Sequence, residues 1–308
     1  GFYPVGGASQ MAATIIPQIQ ISGGDVFTYA DVKEIIIDRG RAVGVQMADG
    51  HCLYAEVVIS NAGVVNTFSD LLPATLSEKL GYKQKLDGLA TSMSHGGMYL
   101  GLRGTAEELQ LPKTNLWIYL DEHHDANVAA LRKDPSAPLP LVYVSFPSAK
   151  DPDFQRRYPG RSTIEIVIGP CDFDSYRKWA DKTWGKRGDD YEALKVDLAE
   201  RMLEALFKQM PHLRGKVDYY EVSTPLSTSH FCRYKQGEAY GLAHHRARFE
   251  SDWLKPKTSV PGLYLTGQDI ISCGVVGALM AGMVTAMSIV GVRGAAVMLK
   301  NIKAGLTL

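Results

Sequence analysis

Apolar and polar positions change period several times along the chain. Met11, Ile15, Ile16 and Ile19 recur at helical spacing, and Ser22-Gly23-Gly24 stops the pattern. This predicts a helix from Ala8 or Ser9 to Ile21, with Ser9 able to cap its start. Pro17 falls inside it and is expected to kink it, since proline removes an amide donor and crowds the preceding turn. Residues 25–29 and Val32–Asp38 are rich in β-formers, Arg39-Gly40 turns, residues 42–47 return, and Asp49-Gly50 turns again. The run Val57-Val58-Ile59-Ser60 ends at Asn61-Ala62-Gly63. Its unbroken apolar character predicts a strand buried on both faces, as in a parallel sheet.

The texture changes from about Asn66. Residues 98–102, 116–120, 141–146 and 163–168 are strand candidates separated by loops rich in Pro and Gly. Leu194, Leu198, Met202 and Leu206 repeat every four residues, which predicts an amphipathic helix over residues 190–210, closed by Pro211. The pairs Asp197–Arg201 and Glu204–Lys208 suit its other face. Residues 66–235 therefore read as an α+β domain inserted between two halves of another, residues 1–65 and 236–308. The last part returns to the first texture: a buried strand over residues 263–266, then an uncharged run from residue 270 to residue 292.

Composition narrows the class. The chain has 308 residues, 45% hydrophobic and 21% charged, as expected of a globular protein with two domains. Lys plus Arg and Asp plus Glu are both 33, and no basic stripe interleaved with aromatics occurs, so there is no nucleic-acid footprint. Cys52, Cys171, Cys232 and Cys273 form no Cys-x-x-Cys pair, which argues against zinc-ribbon and thioredoxin chemistry and leaves the redox compartment open. No Gly-x-Ser-x-Gly elbow is found.

The uncharged run has two uses. Its length suits a membrane span, but Asp269 at its edge, four glycines and the missing aromatic belt dilute that reading. A buried strand ending in Gly-x-Asp before a glycine-bearing helix also suits a cofactor cradle. There Gly267 lets backbone approach a ligand, Asp269 accepts from sugar-type hydroxyls, and the amides from Gly274 to Gly277 carry the positive end of a helix. Simple helix–strand packing by the same glycines stays open as well.

The stretch LYLTGQDIISCGVVGAL resembles the carboxy-terminal flavin motif of the phytoene desaturase-like amine-oxidase superfamily. YPVGGASQMA, GGDVFTYADVKEIIID, GRAVGVQMADG and VVISNAG are similar to that superfamily's second flavin-domain segment. The middle stretches FPSAKDPDFQRRYPGRST and GKRGDDYEALK resemble the retinol saturase (all-trans-retinol 13,14-reductase) family within it. The resemblance implies an α/β fold: an incomplete doubly wound FAD-binding domain lacking its first βαβ unit, with an inserted α+β substrate domain. The family begins with a strand and a Gly-x-Gly-x-x-Gly turn for the FAD pyrophosphate, whereas this chain begins Gly1-Phe2-Tyr3-Pro4 without one. It is expected to be the carboxy-terminal half of a longer protein, holding FAD weakly by itself.

Position by position, the resemblance implies that Gly6 and Gly7 lie near the isoalloxazine and that the backbone of Val32 faces the adenine. Asn61 and Ala62 would close the strand behind the cofactor. Gly267, Gln268 and Asp269 would meet the ribitol, and Gly274, Val275, Val276, Gly277 and Ala278 would present amides to the pyrimidine edge. Tyr240, in Gly237-Glu238-Ala239-Tyr240-Gly241, matches a family arrangement and is the candidate catalytic residue, although Lys235-Gln236 before it departs from the usual pattern. His230 and His244-His245 are further polar candidates, and no metal site is expected.

The implied activity is FAD-dependent saturation of the 13,14 double bond of all-trans-retinol or a similar apolar polyene, with NAD(P)H a candidate electron donor. A carotenoid desaturase or isomerase is the alternative of the same fold. A non-catalytic membrane-inserting fragment is the alternative of another class. The implied partners are a retinoid or carotenoid, with peripheral membrane contact. The implied location is the endoplasmic reticulum membrane in a eukaryote, and the cytoplasm or a membrane surface in a bacterium.

Overall fold

The computed structural model describes residues 2–305. Its strands run β1 (Val32–Asp38), β2 (Arg41–Met47), β3 (Cys52–Tyr54) and β4 (Val58–Ser60) in the first part. They continue with β5 (Ser94–Arg103), β6 (Leu116–Tyr119), β7 (Leu141–Ser145), β8 (Arg161–Cys171), β9 (Val217–Ser223) and β10 (Leu263–Leu265). The chain divides into two compact units, one of residues 2–27 with Met93–Gly237, the other of Thr28–Ser92 with residues 238–305.

The second unit holds two small sheets. β1 and β2 form a hairpin closed by Arg39 and Gly40, both at positive φ, the geometry a two-residue turn between twisted strands demands. β3 joins β2 antiparallel, and Gly44 is required there because a Cβ would lie 2.1 Å from the Leu53 carbonyl oxygen. β4 and β10 pair in parallel, Val58 with Leu263 and Ser60 with Leu265. Burial on both faces of β4 was the expectation. Val58 and Ser60 are buried, but Ile59 points to an open face.

The core of this unit gathers Ile35, Val64, Phe68, Tyr82, Leu242 and Leu265. Phe68 stacks on Tyr82 at 3.6 Å between ring centroids, and Trp253 meets both rings edge-on. That aromatic cluster moves the expected boundary: residues 66–92 carry short helices that pack here, so the chain crosses to the other unit at residue 93 instead of residue 66.

The first unit is built on an antiparallel sheet ordered β6-β7-β8-β5-β9. The helix Asp189–Gln209 lays Leu198, Met202 and Leu206 onto one sheet face, against Met98, Val144, Ile164 and Ile166. Residues 2–27 belong here, contrary to the boundary expected from sequence, because the Gly6 amide donates to Asp151 Oδ1 at 2.9 Å. The helix Ser9–Ile21 runs on through Pro17. Ala8 sits at its cap position without a side-chain hydrogen bond, so Ser9 is the first helical residue and not the cap. Residues 25–29 form no strand; Phe27 is exposed and Tyr29 takes φ of 57°.

The helix Gly274–Gly305 buries only Gly277, Ala281 and Thr285, a stripe at four-residue spacing, and breaks at Gly291, where φ is 70° and ψ −176°. Thr285 Oγ1 donates within 2.8 Å of the Leu265 carbonyl oxygen, tying this helix to β10. By length and composition it is the one helix among the described residues able to cross a membrane.

Candidate functional site

In open α/β sheets ligands sit beyond the carboxyl ends of parallel strands, so the ends of β4 and β10 are the place to look. They run out side by side into Asn61-Ala62-Gly63 and Thr266-Gly267-Gln268. The Thr266 amide still donates to the Ser60 carbonyl at 3.0 Å, and beyond it the two loops touch. A Cβ on Gly267, whose φ is 92°, would fall 1.9 Å from Asn61 Oδ1. Only glycine fits against that side chain. On the β4 side, Asn66 Nδ2 donates to the Ala62 carbonyl, and Ser60 and Thr67 join hydroxyls at 2.7 Å.

Asp269 is the organising charge of this end. It is 3% exposed, its Oδ2 accepts the Val64 amide and its Oδ1 the Leu242 amide, each at 2.8 Å. A Cβ on Gly241 would meet that same Oδ1 at 2.1 Å, so the carboxylate presses against bare backbone. Three segments, at residues 64, 242 and 269, are thereby pinned together. The carboxylate expected to meet a ribitol already has a task inside the protein.

Arg248 supplies the opposite charge. Its buried guanidinium donates to the Leu242 carbonyl at 2.8 Å and to the Gln268 carbonyl. Burial lowers its pKa from the ordinary value, an effect that Asp269 opposes. His244 Nε2 accepts the Cys273 amide at 3.2 Å, one residue before the helix Gly274–Gly305. Desolvation and then Arg248 lower the His244 pKa, which suits a neutral ring acting as acceptor. Sequence reading named His244 only as a polar candidate and missed Arg248 entirely. Arg248 bonds backbone carbonyls, and no residue pattern marks those in advance.

Gly274 turns the chain into the helix with φ of 82° and nothing within 4 Å of its would-be Cβ. Val275 and Val276 are 63% and 73% exposed, so the first turn, where a helix leaves its amides without intrahelical partners, lies at the surface. Gly277 is fixed by packing: a Cβ there would lie 2.2 Å from the Ser272 carbonyl oxygen. Ala278 is half-buried beside it.

The fold thus brings Asn61, Ala62, Gly267, Gln268, Asp269 and residues 274–278 to one end of the second unit. Val32 begins β1 in the separate β1-β2-β3 sheet of the same unit. Gly6 and Gly7 lie in the other unit, both at positive φ. Tyr240 is 42% exposed, its amide donating to Ser92 Oγ at 2.9 Å, and it precedes the glycine that packs on Asp269. His230 belongs to the first unit, stacked on Trp184 at 4.8 Å.

No family model matches the chain. It is 37% identical over 300 residues to the all-trans-retinol 13,14-reductase of Homo sapiens, covering 94% of this chain and 49% of that protein. A Danio rerio relative named an inactive all-trans-retinol 13,14-reductase is 30% identical, with the same 94% and 49% covered. The chloroplastic prolycopene isomerase of Arabidopsis thaliana is 27% identical over 92% of this chain and 44% of its own length. Among solved structures, a putrescine oxidase bound to putrescine superposes with a TM-score of 0.55 at 15% identity, over 93% of this chain and 53% of that one. The chain therefore shares its α/β fold with that oxidase. The chain spans about half the length of the curated relatives it matches.

Proposed function

We propose, for a chain that belongs with the all-trans-retinol 13,14-reductases over the half of their length it spans, that it forms the flavin-edge and substrate portions of an FAD-dependent oxidoreductase. The whole protein saturates a carbon–carbon double bond of an apolar polyene, the 13,14 bond of all-trans-retinol being the first candidate. One observation carries this reading: two parallel strand ends, a glycine seated against Asn61, and the exposed first turn of a long helix all lie at one end of a unit. Such a cradle suits the polar edge of a flavin, where negative charge collects on reduction.

The residues present fit that group. Asn61, Ala62 and the backbone at Gly267 and Gln268 would lie along it, and the amides of residues 274–278 would face its pyrimidine. When bound, a reduced flavin supplies the hydride. The chain's own residues set the stage. Asp269 and Arg248 lock the loops from opposite charges, and His244 holds the turn into the helix. Tyr240, exposed and next to the glycine that packs on Asp269, would orient a substrate group. Apolar surface supplies most of the affinity for a polyene, at roughly 25 cal/mol per Å2 buried.

The test uses the full-length protein. It is reduced, given all-trans-retinol, and its products are separated by chromatography; 13,14-dihydroretinol supports the reading. Replacing the chemical reductant by NADPH or NADH tests the nicotinamide as electron donor. Flavin-loaded protein that yields no dihydroretinol rejects the substrate, and phytoene or poly-cis-lycopene then tests the carotenoid alternative.

A second reading rests on the helix Gly274–Gly305, where Val275, Leu279, Val290 and Val292 are exposed. Peripheral contact with a membrane would cover them, as suits an enzyme whose substrate dissolves in lipid. Flotation with liposomes, comparing wild type with Leu279→Arg, measures it.

A further inference from the structure

Residues 185–195, GKRGDDYEALK, lie in the first unit and take no part in the site described above. Within them Arg187 is only 5% exposed, although Lys186 and Gly188 on either side of it are exposed. The loop folds this one side chain inward between two rings. Its guanidinium carbon lies 5.1 Å from the centre of the Trp184 ring and 5.3 Å from that of Tyr191. Tyr191 is itself fixed, packed with Trp179 and Leu226 and sharing a hydroxyl hydrogen bond with Thr224 Oγ1 at 2.7 Å. Trp184 stacks on His230 and meets Phe231 edge-on at 4.7 Å, so the clamp is built from both sides.

No acceptor meets this cation. Its Nε is enclosed without a partner, and among the described residues the guanidinium enters no hydrogen bond or ion pair. The two terminal nitrogens are not enclosed, so they keep an opening to solvent. The carboxylates nearest in sequence are placed elsewhere. Asp190 Oδ2 accepts from Trp179 Nε1 at 3.0 Å and pairs with Lys178 Nζ at 3.2 Å, while Asp181 and Asp189 are exposed and make no ion pair with Arg187. Lys182 brings a second cation to the loop, its Nζ donating to the Arg187 carbonyl oxygen at 3.0 Å. Taking a guanidinium out of water costs more than two ring faces return, and a charge-assisted bond to an oxyanion is what the fold leaves open. The planar fork matches two oxygens of one anion, and the added charge of Lys182 suits a phosphate better than a carboxylate.

We propose that Arg187 and Lys182 bind the phosphate group of a phosphate ester whose organic part covers the exposed rings of Trp184 and Phe231. Trp184 is 38% and Phe231 68% exposed, which gives the same patch an apolar surface beside its charge. Every residue of the site belongs to the first unit, and the proposal does not depend on the reductase reading.

The experiment uses the full-length protein loaded with flavin, so that the phosphates of FAD are already seated. Wild type, Arg187→Met, Arg187→Lys and Lys182→Gln are titrated calorimetrically with inorganic phosphate at fixed ionic strength. The same four proteins are floated with phosphatidylcholine vesicles, with and without phosphatidic acid. Wild type is expected to bind at least one probe, and Arg187→Met to bind it about 10- to 100-fold more weakly. Arg187→Lys and Lys182→Gln are expected to weaken it by smaller factors. Binding of inorganic phosphate without the vesicles makes a soluble ester the source, and binding of phosphatidic acid vesicles makes it a lipid headgroup; either supports the site. Without phosphate, Arg187→Met is expected to unfold at or above the wild-type midpoint, because it removes a buried cation that has no partner. A probe that binds wild type and Arg187→Met equally overturns the proposal. So does wild type that binds neither probe, which leaves the guanidinium a packing group between two rings. Should Arg187→Met fail to fold, Arg187→Lys and Lys182→Gln decide, and unweakened binding in both refutes the proposal.

Discussion

Replacing Asp269 by Asn probes the lock at the strand ends. The carboxylate accepts two backbone amides through separate oxygens, both at 2.8 Å, at a site 3% exposed. An Asn keeps one oxygen and turns an NH2 group toward the other amide, leaving a buried donor facing a donor. An unsatisfied buried group costs about 1–3 kcal/mol, and hydrogen bonds to a charge lie at the upper end, so about 2–3 kcal/mol is expected. Asp269→Ala strands both amides and should cost about twice as much. With a urea slope of about 2 kcal/mol/M, the Asn variant's midpoint falls by roughly 1–1.5 M. Urea unfolding followed by tryptophan fluorescence measures this, since Trp253 packs in the same core as Phe68 and Tyr82. Midpoints for both variants within about 0.3 M of wild type would refute the reasoning. Flavin content of the full-length variants separates two roles. Flavin lost together with stability places Asp269 behind the cradle, whereas flavin lost at unchanged stability would mean its main contact is the ligand.

Gly44→Ala drives a Cβ into the Leu53 carbonyl and should cost at least about 1–3 kcal/mol, read as a lower unfolding midpoint. Tyr82→Phe loses the 2.7 Å bond to Ser259 Oγ but keeps the stack on Phe68, so about 0.5–1.5 kcal/mol is expected in the same assay. Burial alone would raise the Asp151 pKa, but the Gly6 and Asp153 amides and Arg157 hold it below the usual value. A depressed folded pKa contributes stability that is complete above the unfolded value of about 3.9 and is lost as pH falls through the folded one. Wild type should therefore lose stability below about pH 4 more steeply than Asp151→Asn, as midpoints measured along a pH series will show.

Local period carried much of the fold. The four-residue repeat from Leu194 to Leu206 marked the helix Asp189–Gln209, and the turn pair Arg39-Gly40 marked the β1–β2 hairpin. β9 escaped because its residues Val217-Asp218-Tyr219-Tyr220-Glu221 read as polar; pairing with β5 makes it a strand. Residues 25–29 failed in the opposite sense, since β-forming side chains without a neighbouring strand stay irregular. The Gly-x-Asp turn was legible because glycine and a buried carboxylate are chemically demanding. Its partners, the amides of Val64 and Leu242, were not, because any residue carries an amide. The order of the five-stranded sheet was equally hidden, as it exists only once β5, β7, β8 and β9 are in register.

In the proposed function, the loop ends after β4 and β10 and the first turn of the helix Gly274–Gly305 hold a flavin. Hydrogen–deuterium exchange of the flavin-free full-length protein, with and without added FAD, reads those amides directly. Slower exchange is expected at residues 61–63 and 267–278 on binding, with β9 unchanged. Tight flavin binding that leaves those residues exchanging at their flavin-free rate would contradict it.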